Sequence, residues 1–173
     1  MLEQEIKDCI KEIPDFPRPG ISFKDITPIL SNPALRDKCL DAIAEWAQTL
    51  KPDAIAGIES RGFMFGFALA QRLNIPFVAI RKPGKLPREV YSCSYDLEYG
   101  SNSLSMHEDA VKPGQRVVII DDLLATGGTM QATIELVEKL GGIVVGLAFL
   151  IELDDLNGRE LLKGYDVKTL INY

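Results

Sequence analysis

The sequence predicts an α/β fold: a central, mostly parallel sheet flanked by helices, with an N-terminal hood and a projecting hairpin arm. Three observations carry that prediction. Apolar strand-like runs alternate with helical patterns along most of the 173 residues, as they do in a parallel sheet. One run, VVII at residues 117–120, consists wholly of β-branched residues and suits a strand buried on both faces. From residue 82 onward the apolar period changes to two, the pattern of a half-exposed hairpin.

Leu2, Ile6, Cys9, Ile10 and Ile13 space a short amphipathic helix that Pro14 ends. A hood rich in proline and glycine covers residues 15–30. Asn32 before Pro33 is a helix start, because proline at the first helical position lacks only an N–H that would have no partner. Leu35, Cys39, Ile43, Trp46 and Leu50 continue that helix on one face. A strand at residues 54–58 leads through Glu59-Ser60-Arg61-Gly62 into a largely buried helix ending near Leu73, then a strand at residues 75–80.

Residues 82–88 are basic and rich in proline and glycine. Tyr91, Cys93, Tyr95, Leu97 and Tyr99 then alternate with polar residues. Gly100, Ser101 and Asn102 supply a turn, and Leu104 and Met106 restart the alternation. After residues 117–120, Met130, Ile134, Val137 and Leu140 mark one face of a helix that Gly141 and Gly142 stop. A buried strand at residues 143–151 and an edge strand at residues 165–171 complete the pattern. No repeat or linker interrupts it, so residues 1–173 read as one domain.

A hydrophobic share of 46% with 25% charged residues fits a folded globular chain. No apolar run reaches the length of a membrane span, and the acidic N-terminal stretch is unlike a targeting peptide. The net charge of −6 argues against non-specific nucleic-acid binding, which needs a basic surface. Cys9, Cys39 and Cys93 are odd in number and far apart, which points to reduced thiols and a cytoplasmic location. With one histidine, His107, a His/Cys metal set and a Ser-His-Asp triad are both disfavoured. His107 itself reads as a surface or hinge residue.

The segment VVIIDDLLATGGT at residues 117–129 is the most informative in the chain. A buried strand ends on Asp121 and Asp122, and Ala125, Thr126, Gly127, Gly128 and Thr129 follow directly before a helix. Unshielded backbone N–H groups, two hydroxyls and the positive end of a helix dipole make a cradle for phosphate. The carboxylates beside it accept hydrogen bonds from vicinal hydroxyls. Phosphate and diol together describe a 5-phosphoribosyl group. The nucleotide P-loop needs a lysine after its glycines, and the dinucleotide fingerprint places its acidic residue after the glycines; neither matches.

This order of residues resembles the pyrophosphate-donor motif of the type I phosphoribosyltransferases. FPRPGISFKDITPIL at residues 16–30, GIESRGF at 57–63, RKPGKLP at 81–87 and LEYG at 97–100 are similar to the adenine-using members of that family, in matching order. The resemblance implies the family's fold, with residues 1–32 as N-terminal helix and base-binding hood and residues 82–107 as mobile lid and hairpin arm. It implies transfer of the 5-phosphoribosyl group from phosphoribosyl pyrophosphate to adenine, giving AMP and pyrophosphate. Asp121 and Asp122 would then hold the ribose hydroxyls, and residues 125–129 the 5′-phosphate. Ser60, Arg61, Arg81, Lys82 and Lys85 would meet the pyrophosphate, with Arg88 near the lid. Ser22, Phe23, Lys24 and Leu150 would surround adenine, and Glu98 would be the catalytic carboxylate. Lys24 stands where many relatives carry arginine, so a planar bidentate side chain is missing there.

The resemblance further implies Mg²⁺ chelated by substrate and not by a protein cage, a homodimer, and a cis peptide between Glu59 and Ser60. Two other readings stay open on sequence. One is a phosphoribosyltransferase for another base, which the FKDITP and LEYG segments disfavour. The other is a non-catalytic nucleotide-sensing regulator of the same fold, disfavoured by the acidic charge and the retained Glu98.

Overall fold

A computed structural model of the protein describes residues 1–97 and 100–173. In chain order the N-terminal part comprises α1 (Leu2–Cys9), β1 (Lys11–Ile13), β2 (Phe23–Asp25), α2 (Thr27–Leu30) and α3 (Pro33–Thr49). The middle comprises β3 (Ala54–Ile58), α4 (Arg61–Leu73), β4 (Phe77–Ile80), β5 (Val90–Leu97) and β6 (Gly100–His107). The last part comprises β7 (Arg116–Leu124), α5 (Gly128–Lys139), β8 (Ile143–Glu152) and β9 (Val167–Asn172).

Five strands form a fully parallel sheet in the order β4-β3-β7-β8-β9. β7 lies at its centre, and Val117, Val118, Ile119 and Ile120 are all fully buried, as the β-branched run predicts. Their side chains alternate between two apolar cores. Val117 and Ile119 face the core built with α5 and the hairpin, while Val118 and Ile120 face the core under α1, α3 and α4. The second assignment follows from crossover handedness. The chain leaves β3 toward β4 in one direction and β7 toward β8 in the other, so right-handed crossovers put α4 and α5 on opposite faces. The direction reverses between β3 and β7, and ligands of open α/β sheets bind at the carboxyl end of such a switch point.

Several boundaries differ from the sequence expectation. The first helix stops at Cys9, and Lys11–Ile13 forms a strand antiparallel to β2, with Glu12 opposite Lys24. Pro14 disfavours helical backbone at the residue before it, which favours the extended form at Ile13. The edge strands are shorter than expected, starting at Phe77 and Val167. In the hairpin, pairing runs from Val90 opposite His107 to Leu97 opposite Gly100. Gly100, Ser101 and Asn102, expected as the turn, are therefore paired strand residues; residues 98–99 lie outside the described residues. The hairpin buries Cys93, Leu104 and Met106 in the α5 core and leaves Ser92, Ser94 and Asp96 exposed, the two-faced pattern its alternation predicts, while Tyr91 on the buried face is exposed near the strand end. An Arg81–Ser105 bridge ties it to the end of β4.

Candidate active site

At the switch point β3 ends on Ile58, the Glu59–Ser60 peptide is cis as the resemblance implied, and α4 begins at Arg61. A cavity of about 420 Å³ opens there, and Asp121, Asp122, Ser60, Arg61, Lys82 and Tyr95 contribute to its walls. Close approach of α4 to β7 depends on Gly62. A Cβ at that position would lie 3.0 Å from Asp121 Oδ1 and 3.0 Å from the Ile120 carbonyl oxygen.

β7 runs past its expected stop, pairing Leu123 with Ile151 and Leu124 with Glu152. Both aspartates are thus strand residues, and the loop before α5 shrinks to residues 125–127. Asp122 is buried, and its backbone N–H donates to Asp121 Oδ1 at 2.9 Å. Its carboxylate pairs with Arg61 Nε at 2.7 Å. Burial first, and the neighbouring Asp122 charge second, push the Asp121 carboxyl well above the usual carboxylate range. Arg61 also lies over the Phe23 ring, with Cζ 5.0 Å from its centroid. One guanidinium therefore joins the acidic pair to the aromatic of the hood.

In the loop expected to cradle phosphate, Gly127 adopts φ +89°, a conformation that suits glycine, and the first turn of α5 follows. Thr126, Gly127 and Thr129, with Asp121, line a small cavity of about 70 Å³ beside the larger one. Thr129 Oγ1 donates to the Tyr95 hydroxyl at 3.3 Å, which brings the hairpin against the loop. Tyr95 had no sequence signal beyond its place in the alternation, because its partner lies 34 residues away.

The basic segment divides. Lys82 lines the cavity, and its backbone N–H donates to Glu59 Oε2 at 2.9 Å. Arg81 Nε pairs with the same Glu59 oxygen at 3.2 Å, and Nη1 donates to the Lys85 carbonyl at 3.0 Å. The Lys82 N–H first, then the Arg81 side chain, hold the Glu59 carboxyl below its ordinary value against an opposing effect of burial. Arg88 pairs with Asp109 at 2.5 Å and meets His107 Nδ1 at 3.1 Å. Arg61 and Lys82 thus reach the cavity walls, while Arg81 and Lys85 sit in the segment behind Glu59.

In the hood Phe23 is half-buried and packs edge-on with Phe16, ring centroids 5.2 Å apart. Lys24 is turned inward. Its ammonium pairs with Glu12 at 2.7 Å, donates to Ser22 Oγ at 3.3 Å and lies 4.2 Å from the Tyr173 ring centroid. Its side chain therefore secures the hood, and its backbone is what remains for a ligand. Leu150 is fully buried in the core with Ile26 and Ile29 and presents no surface to the cavity. Glu98, the expected catalytic carboxylate, lies outside the described residues.

Residues 25–172 match the phosphoribosyl transferase domain family. Over 170 residues, 97% of each chain, the protein is 56% identical to the adenine phosphoribosyltransferase of Francisella philomiragia. The crystal structure of adenine phosphoribosyltransferase from Thermoanaerobacter pseudethanolicus is similar with a TM-score of 0.97 at 54% identity, covering 100% of both chains. That of the Saccharomyces cerevisiae enzyme, complexed with an imino-altritol bisphosphate and adenine, is similar with a TM-score of 0.92 at 43% identity over 98% of both chains.

The raised Asp121 carboxyl has a consequence for stability. The folded state keeps a proton that the unfolded chain has already lost, so this contribution is full below the unfolded pKa and falls as pH rises through the folded one. Asp121→Asn keeps an acceptor for the Asp122 N–H and removes the charge. The substitution is expected to raise Tm at about pH 8 and leave it nearly unchanged at about pH 4. Thermal unfolding of both proteins across that range checks it; a Tm difference that does not vary with pH would contradict the assignment.

Proposed function

The chain belongs to the phosphoribosyl transferase family, among the adenine phosphoribosyltransferases, and we propose that its chemistry runs through the cavity between β3 and β7. The protein transfers the 5-phosphoribosyl group from phosphoribosyl pyrophosphate to adenine, releasing pyrophosphate and AMP, a step of purine salvage. The observation that carries the site assignment is the double contact of Arg61. It pairs with Asp122 and covers Phe23, so a ribose held on the acidic pair would lie beside a base held on the hood.

Asp121 and Asp122 accept hydrogen bonds from the two ribose hydroxyls, and residues 125–129 cradle the 5′-phosphate with backbone N–H groups. Arg61 exchanges Asp122 for the pyrophosphate, a stronger anionic partner, which frees that carboxylate for the ribose. Ser60 and Lys82 complete the pyrophosphate side at the cavity wall, with Arg81 and Lys85 on the lid behind them. Mg²⁺ bound with the donor would supply charge neutralisation for the leaving diphosphate, and the carboxylates of Glu59, Asp121 and Asp122 at the cavity wall would hold it through its waters. The anomeric carbon passes through an oxocarbenium-like state, so orientation and charge neutralisation supply the catalysis and no covalent nucleophile is needed. The proposed domain covers residues 1–173, with the hood at 1–32 and the lid and arm at 82–107.

Adenine is read by β2. Among the described residues β2 pairs on one edge only, with β1, which leaves main-chain groups on the other edge. An N–H near Lys24 facing N1 and a carbonyl near Ser22 facing N6 match adenine, with Phe23 stacked on the ring. Hypoxanthine and guanine would oppose donor to donor and acceptor to acceptor, a mismatch worth discrimination on the order of 10⁴-fold. Nucleotide formation measured with each base, with Mg²⁺ and with EDTA, should show AMP from adenine with Mg²⁺ and almost nothing otherwise. Comparable kcat/KM values for adenine and hypoxanthine would overturn the assignment of the base site.

Glu98 is assigned to proton transfer at the purine ring. Glu98→Gln is expected to lower kcat by about 10² to 10⁴-fold while leaving donor affinity near wild type. Unchanged turnover would remove that role.

A cytoplasmic homodimer is the expected working form. Phe67 is 60% exposed and Met64 43% exposed on the outer side of α4, an apolar surface suited to a second copy. Sedimentation should return twice the mass of the 19.1 kDa chain, and a monomer at assay concentrations would count against it.

A further inference from the structure

Behind the phosphate loop lie two consecutive 3-10 turns, Asp154–Leu156 and Gly158–Leu162. The approach is backbone to backbone. A Cβ on Gly158 would lie 2.3 Å from the Ala125 carbonyl oxygen and 2.8 Å from Leu124 Cδ1. A Cβ on Gly127 would lie 2.7 Å from the Gly158 carbonyl oxygen. The two segments therefore stack without an intervening side chain, and Leu153 N–H donating to the Leu124 carbonyl at 3.0 Å holds them at one end.

The next residue anchors the stack. Arg159 Nε lies 2.7 and 2.8 Å from the two oxygens of Glu152, a buried carboxylate at the carboxyl end of β8. Arg159 Nη2 also donates to Thr169 Oγ1 on β9 at 3.2 Å. A charged hydrogen bond to a buried carboxylate is among the stronger polar contacts a protein makes. At the other end Leu162 is buried in the same core as Leu124.

A loop that binds phosphate through backbone N–H groups works only while its peptide planes stay aimed at the ligand. Ala125 and Gly127 have no side chain long enough to hold that segment in place by packing. We infer that Gly158 and the Glu152–Arg159 ion pair are positioning elements of the 5′-phosphate site: they hold residues 125–127 from behind and touch no ligand. The inference rests on reading residues 125–129 as the phosphate loop. Neither the glycine nor the ion pair stands out in the sequence, because Gly158 is 31 residues from Gly127 and its φ is not left-handed; only the contact demands glycine there.

Calorimetric titration with ribose 5-phosphate, and separately with Mg²⁺-pyrophosphate, tests this on the full chain. Gly158→Ala should weaken ribose 5-phosphate by on the order of 10- to 100-fold, because small misplacements of binding groups have effects of that size, with pyrophosphate affinity unchanged. Arg159→Met should act in the same direction more weakly, and Arg159→Lys should restore much of the loss. Equal losses for both ligands, or a folded Gly158→Ala protein with unchanged ribose 5-phosphate affinity, overturns the positioning role. If Gly158→Ala does not fold, the selectivity of Arg159→Met against Arg159→Lys decides by the same comparison. Failure of the wild-type protein to bind ribose 5-phosphate overturns the phosphate-loop reading along with this one, and shows itself before any variant is made.

Discussion

Two carboxylates at adjacent positions near the end of a central, buried strand are the constraint around which this structure is arranged. Asp121 and Asp122 cannot both carry charge cheaply in such a place, since burial and mutual repulsion act in the same direction. The chain answers with one guanidinium. Arg61 stands at the first position of α4 and pairs with Asp122, while Asp121 is left as the carboxyl whose proton is retained longer. Such a pair is poorly suited to stability and well suited to accepting hydrogen bonds from a diol. It is the kind of local cost that functional sites carry.

Bringing Arg61 to that pair requires backbones to approach more closely than side chains allow. Gly62 lets the first turn of α4 meet the end of β7, and Gly57 and Gly66 bring the body of α4 against β3, where a Cβ on Gly66 would lie 3.3 Å from Gly57 Cα. On the other side of β7, Gly127 and Gly158 do the same for the loop at residues 125–127. Main-chain contacts between elements of two crossovers thus bring the polar side chains of the cavity walls together. Rigid backbone of this kind is what a phosphate cradle and a developing cation need, because neither offers directional side-chain chemistry to align them.

Arg61 also joins segments that the chain codes far apart. Phe23 belongs to the hood and Asp122 to the central strand, yet the same side chain touches both. The hood itself is secured through Lys24, whose ammonium is enclosed by Glu12, Ser22 and the Tyr173 ring. A lysine can satisfy these partners as a compact charge, and the planar fork of an arginine is not required by that enclosure. The proposed base, ribose and leaving-group sites consequently draw on elements from the two ends and the middle of the chain.

The sequence by itself determined the layered α/β fold and pointed to residues 117–129 as the strand and loop proposed to bind the donor. Those features are written locally: four β-branched residues suit burial on both faces, and Asp-Asp followed by Thr-Gly-Gly-Thr before a helix carries the phosphate-and-diol reading. The N-cap at Asn32 was legible for the same reason, and its side chain accepts from Leu35 N–H at 3.2 Å. Tertiary structure decided what depends on separation in sequence. The end of β7 extended to Leu124 because β8 offered Ile151 and Glu152 as partners, which local pattern cannot reveal. Residues 11–13 became a strand because β2 was there to pair with them. Which of the basic residues face the cavity, where Lys24 points, and why residue 158 must be glycine were settled by contacts between segments tens of residues apart. Local propensity states what each segment tolerates; only the close packing of distant backbones selects among those tolerated forms.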